Sequence, residues 1–405
     1  VDVTGESCHV AMADDPSGYA HNGFSVTAVP SPKYCQSCHA DETEQFWRSK
    51  HAWASFMGPL KPYYTAAREA GLDPFSQETA RELNPEEMAK RTLSPLFPDS
   101  GALAKAGLLN DPDYNHNNVV LGCIECHGSF VIAEPDGKLS GWPNVGTGRI
   151  NPDGTLGSCS SCHTRHKFSI AEARKPSTCG QCHLGPDHPQ YEIYEESKHG
   201  NIYEADGENW NWDAASGEWG PADITAPTCA TCHMSGFGGV VETTHDAGAR
   251  LYWELQPKVS VPQWKGPDEV DMVLERVPDL AQAEAGRAEM RQVCRQCHSS
   301  QWTDNYFIEF DKVVSDYNRI WEYTDGLLQQ AYAEGLISKD NPLDEIPETM
   351  HYYVWHHDGR RWRMGASMMA PDWTHWNGAV DALLDKLTTM ENSIEQTRTI
   401  KELQA

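Results

Sequence analysis

Apolar residues recur at helical spacing near the end of the chain, whereas most of the preceding chain shows little regular period. Within 378–403, apolar positions follow one another at intervals that place them on one face of a helix. They are Val380, Leu383, Leu384, Leu387, Met390 and Ile394. Such a stripe fits two arrangements, a helix packed on the chain's own core or a seam between subunits.

Two further stretches, 78–92 and 315–334, are also predicted to be helical, and proline and glycine lie on both sides of the first. Residues 1–40 and segments such as 210–221 are rich in turn-forming residues and predict loops. No apolar run is long enough to cross a bilayer, so no membrane span is predicted. The expected fold class is mainly α with extensive coil and very little sheet.

Twelve of the thirteen cysteines occur as pairs with two residues between their members, and a histidine follows each pair directly. In this C-x-x-C-H motif two thiols bond to the vinyl groups of a haem, and the histidine binds the iron axially. Zinc sites, iron–sulfur sites and thioredoxin-like pairs do not require that histidine. The sequence therefore predicts six covalent c-type haems. The cysteines are Cys35, Cys38, Cys123, Cys126, Cys159, Cys162, Cys179, Cys182, Cys229, Cys232, Cys294 and Cys297, and the proximal histidines are His39, His127, His163, His183, His233 and His298.

The remaining cysteine, Cys8, precedes His9, but glycine occupies position 5, where a complete motif would have its first cysteine. One thioether plus the axial His9 is chemically adequate, so a seventh haem is predicted here. The alternative is a free cysteine, which is unfavourable in an oxidising compartment. No cysteine is left for an eighth attachment.

Stacked haems would also explain why only 39% of residues are hydrophobic in a chain of 405, because the haems fill the core. The motifs end before residue 300 and long helices follow. We therefore predict a multihaem c-type cytochrome domain over 1–300, which contains every motif. A C-terminal helical domain over 301–405 is predicted to serve oligomerisation.

An electron-transfer haem needs a second axial imidazole from elsewhere in the chain. Eleven histidines remain after the seven proximal ones, so the supply exceeds the demand. For each of them the alternative is an ordinary surface or core histidine. The predicted distal ligands are His51, His116, His166, His199, His245 and His375, with His21 as an alternate.

The formal net charge is −27 before any haem propionate is counted. That charge excludes nucleic acid as a partner and favours cationic or small redox partners, although solubility alone also explains it. Covalent haem attachment indicates the periplasm or an equivalent lumen. The chain begins with Val1 and has no basic-then-apolar leader, which fits a removed signal peptide.

Asp187 and His188 are adjacent, and such a pair can exchange protons near neutral pH. A catalytic haem needs an open distal face with proton-transferring groups above it. The alternative is that Asp187 caps a helix and His188 binds a haem. The residues alone leave both possibilities open.

Several segments together resemble the octahaem hydroxylamine oxidoreductase family. They are CIECHG at 123–128, CSSCHTRH at 159–166, CGQCHLGPDHPQYEIYEESKHG at 179–200, APTCATCHM at 226–234 and MMAPDWTHW at 368–376. The resemblance implies that the haem held by Cys159, Cys162 and His163 is the catalytic one. It places Asp187 and His188 over its distal side together with a tyrosine, for which Tyr306 is the candidate. It also implies a homotrimer.

The sequence departs from that family in its haem count and in its C-terminal segment. In oxidative members a tyrosine of a neighbouring subunit bonds to the catalytic haem, and the matching positions here are Ser367 and Trp373, with Tyr352 and Tyr353 nearby. A haem without that bond keeps electron density for back-donation to nitrite or nitric oxide. We therefore expect reduction of nitrite, and of hydroxylamine, with electrons from a cytochrome c or a quinol-linked donor. The alternatives are hydroxylamine or hydrazine oxidation, and pure electron transfer.

Overall fold

The computed structural model describes residues 8–86, 88–89, 118–186, 188–253, 280–339, 343 and 345–404. The predicted site residues Asp187 and His116 lie outside the described residues. The described residues fall into two compact units. None of their helices combines the length and the apolar content needed to cross a membrane.

The first unit contains the described residues up to Ser169, together with Thr244–Gly248. Strands β1 and β2 pair antiparallel around Asn22 and Gly23, whose positive φ angles of 49° and 87° suit a tight Asn-Gly hairpin. Its core is aromatic, with Phe56 and Tyr64 ring centroids 5.1 Å apart. Its elements are β1 Tyr19–His21, β2 Phe24–Val26, α1 Pro32–Gln36, α2 Ala40–Arg48, α3 Ala54–Met57, α4 Lys61–Glu69, α5 Gln77–Leu83, α6 Asn118–His127, β3 Ile132–Ala133, β4 Leu139–Ser140 and a 3₁₀ turn Cys159–Ser161.

The second unit contains Ile170–Thr243 apart from Asp187, residues 249–253, and the described residues from 280 onward. Trp210, Trp212 and Trp219 form one of its cores with Phe237. Its elements are α7 Ile170–Arg174, α8 Pro176–Gly180, α9 Gln190–Glu196, α10 Lys198–Asp206, a 3₁₀ turn Gly207–Asn209, α11 Cys229–His233, α12 Leu280–Cys294, α13 Ser300–Ala333, α14 Ile346–Tyr353, a π turn Val354–Asp358, α15 Gly359–Met368, α16 Pro371–Thr374, a π turn His375–Ala379 and α17 Asp381–Gln404.

The predicted mainly helical fold with little sheet is confirmed, because the strands of the described residues are at most three residues long. The helix predicted over 315–334 begins at Ser300 instead, because the Ser299 hydroxyl accepts the Trp302 backbone N–H and caps the first turn. The helix predicted over 78–92 is interrupted at Asn84, which takes a left-handed conformation after Leu83. The loop predicted over 210–221 is confirmed.

The apolar stripe of α17 packs on the chain's own core. Leu383 and Met390 are fully buried and Ile394 is nearly so, and the last two contact Leu328 and Ala331 of α13. Leu384, in contrast, is 51% exposed. The core arrangement is therefore confirmed for these buried residues. The boundary predicted at residue 300 falls inside the second unit, and the oligomeric seam stays a prediction.

Candidate haem sites

Each cysteine motif is folded as a single helical turn. In four motifs the histidine backbone N–H donates to the carbonyl of the first cysteine. Of the other two motifs, one forms the end of α6 and the other is the whole of α11. The four bonds are His39 to Cys35 at 2.9 Å, His163 to Cys159 at 3.0 Å, His183 to Cys179 at 2.9 Å and His298 to Cys294 at 2.9 Å. Residues four apart share one helix face, so the first cysteine and the histidine project to the same side.

No cysteine forms a disulfide, so all thirteen thiols are available for thioether bonds. Cysteines of different motifs also approach one another, since the thiols of Cys35 and Cys159 interact, as do those of Cys179 and Cys229. Groups attached at these motifs would therefore be neighbours. The described residues contain no cluster of three or more His, Cys, Asp or Glu side chains suited to a metal ion.

Two proximal histidines show the ring orientation that iron binding requires. The Nδ1 atoms of His9 and His127 lie 2.8 Å and 2.9 Å from the carbonyl oxygens of Thr27 and Ala54. A carbonyl only accepts, so Nδ1 carries the proton and Nε2 keeps its lone pair for iron. A side chain at Gly58 would place Cβ 2.7 Å from His127 Nδ1, so this close approach requires glycine.

Imidazole rings face one another at a separation that suits an intervening iron. Two metal–nitrogen bonds of about 2 Å, plus about 1 Å from each nitrogen to its ring centre, require roughly 6 Å between ring centroids. The pairs near that separation are His9–His166 at 6.4 Å, His163–His245 at 6.3 Å, His183–His188 at 6.2 Å and His199–His298 at 6.2 Å. Three predicted distal residues are thus brought against motif histidines. The residues present therefore fit covalent haem.

The pair formed by His199 and His298 has an interplanar angle of 48°. Burial lowers the pKa of His199, and the neighbouring His298 lowers it further. Both effects favour the neutral imidazole, which is the form that binds a metal.

His245 lies near two motif histidines. Its ring is 6.3 Å from that of His163, and its backbone N–H donates at 2.9 Å to Gln45 in α2, the helix that follows His39. Burial lowers the pKa of His245, and His163 and His39 lower it further, whereas Glu42 acts in the opposite direction. One imidazole binds one iron here, so His245 can complete the coordination at only one of the two motifs.

His188 follows His183 by five residues, and that segment is folded back on itself. The Tyr191 N–H donates to the His183 carbonyl at 3.0 Å, and the Gln190 N–H donates to the His188 carbonyl at 2.8 Å. Even fully extended, five residues span only about 18 Å. The two imidazoles consequently stay close, with ring centroids 6.2 Å apart.

Tyr306 lies half-buried in α13, and its hydroxyl donates to the Ser367 carbonyl at 2.5 Å. Burial raises the pKa of this phenol, so it remains a hydrogen-bond donor. Of the other predicted ligands, His375 is exposed in a π turn and its ring contacts Trp376 at 4.2 Å. His51 is half-buried, and its backbone N–H donates to the Ser49 hydroxyl.

Sequence reasoning missed two residues that hold motif histidines or helices in place. Trp302 stacks on His298 at 3.9 Å, and its position four residues later was a usable signal. Arg250 donates to four backbone carbonyls near α11, from Thr231 to Glu242, and no local pattern marks that role.

Comparisons with known proteins agree with this geometry. Residues 153–342 match the family model described as seven times multi-haem cytochrome CxxCH. Over 200 residues the chain is 31% identical to a probable nitrite reductase–hydroxylamine oxidoreductase fusion protein of Kuenenia stuttgartiensis. The matched region is 44% of this chain and 23% of that protein.

Two solved structures share the fold over 98% of the chain. A hypothetical multiheme protein is 25% identical with a TM-score of 0.72, and 84% of it is covered. A reducing HAO-like protein complex of Kuenenia stuttgartiensis is 20% identical with a TM-score of 0.65, and 76% of that chain is covered. Motifs, ring pairs and matches together define a multihaem c-type cytochrome with covalently bound haems. Within that class, the chain is similar over part of its length to a probable nitrite reductase–hydroxylamine oxidoreductase fusion protein, and it shares the fold of a reducing HAO-like protein.

Proposed function

We propose that the protein is an oxidoreductase of small nitrogen compounds that reduces nitrite, and hydroxylamine or nitric oxide, at an open-coordinate haem. The observation that carries this proposal is that motif histidines and facing imidazoles are positioned to hold iron, because haem iron exchanges electrons with such compounds. The similarity to a probable nitrite reductase–hydroxylamine oxidoreductase fusion protein supports the same chemistry.

The haem held by Cys159, Cys162 and His163 is the proposed reaction centre, an assignment supported by the family resemblance. Haem iron exchanges electrons and binds nitrogen ligands. Asp187 and His188 are proposed to donate protons at the reacting oxygen and nitrogen atoms, since carboxyl and imidazole groups are the side chains that most often act as general acids. Tyr306, whose hydroxyl is held by Ser367, is proposed to orient the site.

Catalysis at this centre requires that His245 does not occupy the iron bound by His163. We assign His245 to the iron of the His39 motif, which is supported by its hydrogen bond to Gln45 and by its proximity to His39. The ring pair His163–His245 favours a second candidate function, electron transfer through haems that all have two axial ligands. The two functions differ in whether the resting protein contains a high-spin iron.

The reductive direction is supported by the residues at the positions matching the cross-linking tyrosine, Ser367 and Trp373. Tyr352 and Tyr353 lie nearby, and their rings contact His356 at 4.6 Å and His357 at 5.0 Å within the same chain. Without that link the iron retains electron density for back-donation to nitrite. Hydroxylamine or hydrazine oxidation is the alternative direction.

The remaining features are proposed from sequence. They are six haems with a seventh at Cys8 and His9, a periplasmic or equivalent location, a cytochrome c or quinol-linked redox partner, and a homotrimer. The His9–His166 pair and the hydrogen bond from His9 Nδ1 to Thr27 support the seventh haem.

The test is turnover of nitrite by the holoprotein with reduced viologen, together with electron paramagnetic resonance of the ferric state. We expect nitrite turnover and one high-spin haem. Asp187→Asn should lower turnover by about 10²-fold or more with an unchanged haem count, whereas the exposed control Asp213→Asn should not. Absence of both turnover and high-spin iron would establish electron transfer instead.

The assignment of His245 is tested by His245→Ala. If His245 binds the His39 iron, the variant gains a second high-spin haem and the original one stays. If the unmodified protein has no high-spin iron and the variant has one, every haem has two axial ligands in the native state, and the catalytic proposal is wrong.

A further inference from the structure

An aromatic stack begins on the proximal histidine of the last motif and continues along α13. The rings of His298 and Trp302 lie 3.9 Å apart with an interplanar angle of 14°. The ring centroids of Trp302 and Tyr306 are 5.7 Å apart with an interplanar angle of 1°, and those of Tyr306 and Phe310 are 6.2 Å apart with an angle of 12°. The spacing of four residues keeps these side chains on one face of the helix.

The stack is held at its start and at its third ring, Tyr306. Ser299 caps α13 immediately after His298 and accepts the Trp302 backbone N–H at 3.2 Å, which places Trp302 in the first turn above the imidazole. Farther along, the Tyr306 hydroxyl is bonded to the Ser367 carbonyl of α15. Trp302 is therefore held by the helix start on one side and by an anchored ring on the other.

Trp302 is not explained as a core residue, because 39% of it is exposed. An aromatic side chain gains most of its stabilisation from burial, and much of that gain is absent here. Its closest ring contact is the His298 imidazole. An axial imidazole rotates readily about its bond to iron unless neighbouring groups fix its plane, and such outer contacts tune the metal.

We infer that Trp302 is a positioning residue that fixes the imidazole plane of His298, and thereby the angle between the two axial ligands of the haem held by Cys294 and Cys297. The inference rests on the proposed pairing of His298 with His199, whose planes are 48° apart. The relative orientation of axial imidazoles sets the splitting of the iron d orbitals. Trp302 consequently determines the low-spin spectrum of this one haem.

The experiment compares ferric electron paramagnetic resonance spectra of the holoprotein. His199→Ala first identifies the haem, since it should remove one low-spin signal and leave the others. Trp302→Leu should shift that same signal only, with every haem still attached by mass spectrometry. Trp302→Phe, which retains a stacking ring, should restore the native position, and Ile308→Ala, 52% exposed on the same helix, should cause no shift.

The outcomes separate the inference from its premise. If His199→Ala removes no low-spin signal, the ligand pairing is wrong. If it removes one, but Trp302→Leu leaves that signal in place or shifts all signals alike, Trp302 does not orient His298. Loss of a haem from Trp302→Leu would also overturn the inference, because it would show a role in attachment.

Discussion

The substitution Arg250→Met tests how the haem-bearing helix α11 is held in place. The Arg250 side chain is fully buried and donates to the carbonyls of Thr231, Cys232, Ser235 and Glu242 at 3.4, 3.2, 3.1 and 2.6 Å. Hydrogen bonds from a charged donor contribute about 1.5–3 kcal/mol each. Counting only the two shortest, the substitution should lower the free energy of unfolding by roughly 3–6 kcal/mol.

The assay is urea unfolding of the holoprotein followed by far-ultraviolet circular dichroism, with the haem count checked by mass. The matched control is Arg295→Met, because Arg295 is 38% exposed and shares the carboxylate of Asp304 with Arg291. The control substitution should lower the free energy of unfolding by less than about 1 kcal/mol. Arg250→Lys keeps the positive charge but not the planar set of donors. Its loss of unfolding free energy should lie between those of Arg250→Met and Arg295→Met. Equal midpoints for Arg250→Met and Arg295→Met would refute the reasoning.

Three further predictions concern packing and cofactor attachment. Met390→Ala should cost about 2–5 kcal/mol in urea unfolding, whereas Leu403→Ala, 82% exposed on the same helix, should change stability by less than about 0.5 kcal/mol. Gly200→Ala should lower the urea midpoint of unfolding and disturb the low-spin signal of the haem that His199 is proposed to bind, because the new Cβ would lie 1.9 Å from the Tyr194 carbonyl oxygen. The control Gly326→Ala should do neither, since its Cβ meets nothing within 4 Å. A peptide containing Cys8 should carry the mass of one haem, and an unmodified thiol there would return the count to six.

Sequence alone predicted the features that are local in the chain. The cysteine motifs and their proximal histidines follow from spacing, and each motif is one helical turn because residues four apart must share a face. The last helix follows from the apolar positions around Leu383 and Met390. The start of α13 was missed because its capping residue, Ser299, directly follows a motif histidine, so the chain passes from the motif into the helix with almost no linker.

The ligand pairs were predicted only as a set. His166, His199 and His245 were chosen because distal imidazoles were needed, but nothing in the sequence showed which motif each one would face. His9 and His166 are far apart in the chain, and their approach depends on how the coil between them folds. His245 illustrates the limit, since its neighbours His39 and His163 carry motifs of the same type.

Buried arginines show how a chain with so much coil satisfies its backbone. Irregular segments leave carbonyls without the partners that helices and sheets supply, and a buried unpaired carbonyl is costly. Arg149, Arg174 and Arg250 are all buried, and each donates to at least two carbonyls. The acceptors are Pro30 and Asn144 for Arg149, Trp212 and Ala214 for Arg174, and Thr231, Cys232, Ser235 and Glu242 for Arg250.

Burial lowers the pKa of Arg149 to about 10, so the guanidinium keeps its proton and its donors at neutral pH. Lysine cannot replace it at such a site, because one ammonium group does not reach several carbonyls in a planar fork. The two acceptors of Arg174 are themselves in the coil that packs around Trp219, over which the guanidinium stacks at 4.5 Å. These arginines therefore fasten irregular segments together by pairing backbone carbonyls that no helix or sheet pairs.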